Sequence, residues 1–161
     1  MASTYSQIAT QTLGSAASSV TFSSIPQTYT NLVLVIAGTG SAQLDLNFRF
    51  NGDTASNYSR TYMVGSSSSA SSGRDSNVTS LAVGSLNTSM SNCIVHFPQY
   101  ANTTTFKTVL ERANQPQSAG PVNAIVGLWR STAAITSMTL TTSTGTVSTN
   151  SIFTLYGIKG A

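Results

Sequence analysis

Seven residues, LDLNFRF (44–50), alternate without a break: Leu44, Leu46, Phe48 and Phe50 lie on one side, and Asp45, Asn47 and Arg49 on the other. A period of two marks a strand with one buried and one wet face, because successive side chains of an extended chain point oppositely. Nothing competes with that period, since Ala/Leu/Glu/Lys-rich runs with a 3.6-residue repeat are missing. Helices of any length are therefore not expected. NLVLVIA (31–37) is β-branched and apolar on both faces, as in a strand covered on both sides.

Further strand candidates are SVTF (19–22), SNYSRTYMV (56–64), VTSLAV (78–83), NCIVHF (92–97), TFKTVLE (105–111), NAIVGLW (123–129), ITSMTLTT (135–142) and SIFTLYGI (151–158). Turn signals separate them: Pro26, Gly38-Thr39-Gly40, Asn51-Gly52, Pro98, the Pro/Gly-containing stretch 115–121, and Thr144-Gly145. About ten short strands with such punctuation predict an all-β fold, an antiparallel β-sandwich or jelly roll in a single domain over 19–161. The last strand carries Ile152, Phe153, Leu155, Tyr156 and Ile158 close to the end of the chain. Apolar side chains on both faces place it inside a sheet, not at an edge.

Two segments carry no such pattern. GSSSSASSGRDS (65–76) is low-complexity and reads as a flexible Ser-rich loop or hairpin tip, with no side chains able to offset the entropy of ordering. Residues 1–18 read as a polar N-terminal arm with sparse anchors Tyr5, Ile8 and Leu13, expected to reach a neighbouring subunit; an edge strand of its own sheet and simple disorder are the alternatives.

A chain of 161 residues is long enough for one core. Charged residues are only 7%, against about 25% in ordinary soluble proteins, so solubility rests on hydroxyls and amides. So few charges oppose self-association weakly, which suits a part built to be packed against other subunits. The net charge of +3 comes from seven Lys/Arg scattered without a run, and no nucleic-acid partner is expected. No membrane span is expected either, because no apolar stretch approaches about 20 residues. Cys93 is the single cysteine, and the start lacks a basic-then-apolar leader; manufacture in a reducing cytoplasm is expected.

The residues that could carry chemistry form no recognisable constellation. Cys93 and His96 stand three apart, on opposite faces of a strand, and no second Cys or His completes a metal site, so neither metal nor cofactor is expected. No G-x-S-x-G elbow occurs, and the four acids, Asp45, Asp53, Asp75 and Glu111, are too scattered to pair as acid and base. Enzymatic activity is not expected. Gly38-Thr39-Gly40 lacks the third glycine and following helix of a dinucleotide fingerprint, and four Asn-x-Ser/Thr matches are what chance gives in so Ser/Thr-rich a chain. Trp129 sits among Ile125, Val126 and Leu128 and reads as core, with a sugar-stacking role for it or for Tyr58, Tyr62 or Tyr100 as the alternative. Tyr100, in HFPQY, reads as an exposed aromatic able to anchor a partner.

The blocks SSVTFSSIPQTYTNLVLVIAGTG, LNFRFNGDTASNYS, GLWRSTAAITSMTLTTSTG and SIFTLYGIKG, in that order, resemble small β-rich virion proteins of tailed bacteriophages, particularly those infecting aquatic bacteria. The resemblance spans most of the chain outside 65–76. It implies a particle component: a capsid decoration (cement) protein, expected as a homotrimer on the capsid exterior with the major capsid protein as partner, or a tail-fibre or receptor-binding module that recognises host surface glycans. No catalytic motif comes with it. The interface residues expected for such a role are Tyr5, Ile8, Leu13 and Tyr100.

Overall fold

The computed structural model describes residues 4–116 and 120–160. Strands β1 (Tyr5–Thr12), β2 (Ser19–Phe22), β3 (Asn31–Gly38), β4 (Leu44–Phe50), β5 (Tyr58–Ser66) and β6 (Ser69–Val78) form the first half. The second half holds β7 (Leu81–Leu86), β8 (Ser91–Pro98), β9 (Lys107–Asn114), β10 (Val122–Trp129), β11 (Met138–Thr142) and β12 (Ile152–Ile158). Among the described residues there is no helix. LDLNFRF becomes β4 at the bounds its alternation predicts, with Leu44, Leu46, Phe48 and Phe50 all buried.

The fold is an all-β sandwich of two antiparallel sheets: a wide one in the order β1-β12-β3-β8-β9-β10-β5-β6 and a narrow one in the order β2-β11-β4-β7. Only β5–β6, β8–β9 and β9–β10 are successive strands within one sheet; every other connection carries the chain across to the opposite sheet. Each sheet therefore presents alternate residues of its strands to one shared core. From the wide sheet come Leu32, Leu34, Ile36, Val95, Phe97, Val109, Phe153 and Leu155; from the narrow one come Phe22, Leu81, Val83 and Leu140 beside the β4 side chains. Phe50 lies at the centre of an aromatic cluster, 5.4 Å from the Trp129 ring and 5.8 Å edge-on from Phe97.

β12 lies inside the wide sheet between β1 and β3, which pairs its backbone on both sides; Phe153 and Leu155 are buried in the core, while Ile152 on the other face is exposed. Its neighbour β1 revises the expectation of an outward-reaching arm. From Tyr5 opposite Ile158 to Thr12 opposite Ile152, this segment is the edge strand of its own sheet, and Ile8 and Leu13 pack against the molecule's own core. The backbone of β12 offers a full ladder of hydrogen bonds within reach, and Ala17 continues the attachment through paired bonds to Val147. Residues 1–3 of the expected arm lie outside the described residues, as do 117–119 of the turn expected over 115–121.

The Ser-rich stretch 65–76 is also not a flexible loop. β5 and β6 form a hairpin with a two-residue tip, Ser66 opposite Ser69 and Gly65 opposite Ala70. Main-chain pairing needs no large side chains, and two specific contacts fix the register. Arg60 Nε donates to Asp75 Oδ2 at 2.6 Å, and the Tyr62 ring tip lies so close over Gly73 that no Cβ would fit there. None of the β6 residues is buried, because the narrow sheet does not extend over them.

Candidate interaction face

The wide sheet has a second face, turned away from the core, and its central strands make it apolar. Strand register places Thr61, Val126, Leu110, His96 and Val33 in one row across β5, β10, β9, β8 and β3. The adjacent row is Met63, Ala124, Arg112, Ile94 and Val35 on the same strands. Met63 is 67% exposed, Val122 63%, Val126 55% and Leu110 45%; Ile94 is exposed as well. Single exposed apolar residues are ordinary, but contiguous ones on a rigid sheet mark a contact surface. Between Met63, Leu110, Ala124 and Val126 the surface dips into a shallow trough of about 500 Å³ bordered by His96 and Arg112.

Its electrostatics are one-sided. Arg112 stands in the middle of the apolar rows, and Arg74, opposite Thr61 on β6, borders a smaller groove beside Val126 and Leu128. Partial burial and then the neighbouring Arg112 guanidinium hold His96 below its usual value, so it is neutral at neutral pH. The four acids lie elsewhere. Asp45 is on β4 of the narrow sheet, Asp75 is paired with Arg60, and Glu111 points into the core side of β9. Asp53, in the turn after β4, accepts hydrogen bonds from Trp129 Nε1 (2.7 Å) and Asn57 Nδ2 (3.0 Å), in that order the main causes of its lowered pKa.

The chain matches no protein-family model, no curated protein and no solved structure. The face therefore has to be read from its own residues.

Of the interface residues expected from the sequence, only Tyr5 is well exposed, at 52%, and it lies at the sheet edge with its ring edge-on to Tyr156. Ile8 and Leu13 are half-buried against the core. Tyr100 is not an exposed anchor: it is fully buried, and its hydroxyl donates to the Pro26 carbonyl oxygen, so the chain folds this aromatic inward after β8. Trp129 and Tyr58 are core residues too, stacked on each other. One strand carries a signal for this exposed face. NAIVGLW is apolar at both parities, yet no helix among the described residues covers its second side.

Three buried ionisable groups lie behind this face. Cys93 Sγ donates to Glu111 Oε1 at 3.4 Å, and Glu111 Oε2 has no hydrogen-bond partner among the described residues. Burial raises the Glu111 carboxyl to about 7, opposed by the Cys93 hydrogen bond and the Arg60 charge, and burial raises the Cys93 thiol well above its usual value. A thiol in that state is a poor nucleophile. Lys107 is buried with Nζ donating to the carbonyl oxygens of Thr105 (2.8 Å) and Thr132 (3.0 Å), a tie between two loops. Among the described residues no cluster of three or more His, Cys, Asp or Glu converges on a point. What this arrangement can do is hold a flat apolar surface rigidly in place.

Proposed function

We propose that the chain is a structural subunit of a tailed-bacteriophage virion, a capsid decoration protein that seats the outer face of its wide sheet on the shell of major capsid subunits. The observation that carries the reading is the apolar face formed by Met63, Ile94, Leu110, Val122 and Val126. Four adjacent antiparallel strands hold it, so docking requires little ordering of the surface beforehand. The sparse charge of the whole chain supports it, because little repulsion opposes packing of many copies on one particle, where repeated weak contacts add up. The resemblance of the four sequence blocks to small β-rich virion proteins supplies the particle. A homotrimer on the capsid exterior is the arrangement this reading favours.

The tail-fibre or glycan-binding alternative draws less support, because three of the four aromatics that could stack on a sugar, Trp129, Tyr58 and Tyr100, lie in the core, and the fourth, Tyr62, is half-buried with its ring against Gly73 and the Arg60 guanidinium. Quantitative mass spectrometry of purified particles separates the two. Hundreds of copies per particle are expected of a shell protein; a few dozen would favour the tail, and single-digit copy numbers would discard decoration.

A further inference from the structure

Arg112 lies between Ala124 and Ile94 in the middle of an apolar row, and neither it nor Arg74 has an ion-pair or hydrogen-bond partner among the described residues. Any partner that covers Leu110 and Val126 also takes the Arg112 guanidinium out of water. Burying that cation against a neutral apolar surface would leave it uncompensated, a heavy cost. The chain itself has nothing to offer in return, since all four of its acids lie off this face. A second copy docked face to face would set arginines against arginines.

We infer that the surface seated on this face belongs to a different protein and is acidic: an apolar centre meeting Leu110 and Val126, flanked by carboxylates that pair with Arg112 and Arg74. The inference rests on the reading of the face as a docking surface and names the chemistry of its partner. Arginine suits this position, because its planar fork accepts a carboxylate bidentately and is more weakly hydrated than an ammonium. An anionic bilayer is the poorer fit. The face has no tryptophan or tyrosine at its exposed centre and no cluster of basic residues, the features that hold proteins at lipid headgroups.

The test replaces Arg112→Lys, which keeps the cation and supplies an amine. Purified particles, and cells in which the chain is naturally made, are then treated with a water-soluble carbodiimide. The reagent activates a carboxylate, the amine displaces the resulting urea, and an amide joins the two side chains with net loss of one water, which the reagent takes up. Peptide mass spectrometry is expected to find position 112 joined to an Asp or Glu of another protein. The unsubstituted chain should lack this product, and about 0.5 M NaCl should reduce it severalfold through screening. Arg112→Glu should weaken retention of the chain in the particle by about tenfold or more, with Arg49→Glu on the narrow sheet without effect. Joining to a carboxylate of a second copy, no joining in either particles or cells, or unchanged retention of Arg112→Glu would each overturn the inference. So would flotation of the purified chain with vesicles of about 30 mol% phosphatidylglycerol that Arg112→Glu abolishes. A product with a protein outside the shell would uphold the acidic surface while discarding the decoration reading; high copy number without any product would do the reverse.

Discussion

Glu111 is the residue whose environment most affects how the protein responds to pH. Its carboxyl is buried beside Cys93 and Gly84 and raised to about 7 from an ordinary 4.5, with burial the largest cause. Below pH 4.5 the folded and unfolded chains are both protonated at this group, and it adds no pH dependence. Between 4.5 and about 7 the unfolded chain releases its proton while the folded one holds it, so stability falls as pH rises, on the order of 3 kcal/mol, and levels off above about 7. His96 works in the opposite sense: its lowered value means that the folded state loses stability as pH drops below 6.5. Comparing wild type with Glu111→Gln cancels the histidine. Urea midpoints are expected to converge towards pH 4.5 and to separate up to pH 8, with the variant losing the wild-type decline; parallel profiles would refute the assignment.

At the scale of elements, two strands carry specific stability predictions. β7 carries a bulge where the register with β4 shifts past Gly84, which has φ +57°. A Cβ there would lie 2.8 Å from Cys93 Sγ, so Gly84→Ala is expected to cost about 2–4 kcal/mol in thermal unfolding, from backbone strain and overpacking together. A loss under about 0.5 kcal/mol would refute this. Strand β1 shields β12, and deleting residues 1–12 would turn an apolar inner strand into an open edge. Light scattering should then show aggregation at concentrations where the full chain stays clear. β1 and β6 are also the strands whose residues gave no pattern to read. YSQIATQT and SASSGRDSNV are edge strands with no fully buried side chain, so backbone pairing and a few side-chain contacts, Ile8 against the core and Asp75 with Arg60, specify them without an alternating pattern. The buried strands are different. β3, β4 and β12 must satisfy a core, and their side chains record it.

For the whole molecule, one face of the wide sheet is buried in the core and the other, exposed and apolar at its centre, is the proposed face of association. Val126→Asp lies on the exposed side of β10, so the melting temperature is expected to move by no more than a few degrees. Incorporation into particles should nonetheless fall by about tenfold or more, because a charge enters the apolar centre of the contact. A variant that assembles normally would remove the face from the function. Of the interface residues expected from the sequence, Tyr5 is exposed, while Leu13 is half-buried and Tyr100 buried. Tyr100 is expected from HFPQY as an exposed aromatic and Leu13 as an anchor of the arm, but an aromatic just after a strand can fold back onto the core, and Tyr100 does. The proposed face draws on β10, which is apolar at both parities, so alternation alone cannot tell its covered side from its uncovered one; β8 and β9 contribute single outward apolar residues, Ile94 and Leu110, between polar ones.

The pairing of β1 with β12 has one more consequence. Tyr5 stands opposite Ile158, so the first and last described strands begin and finish at the same corner of the wide sheet. A short bridge could join them into a ring, and the ring could be reopened at the solvent-exposed Ser67-Ser68 tip without unpairing a single strand. A peptide fused at such an opening would emerge from the rim of the wide sheet, clear of the packed interior.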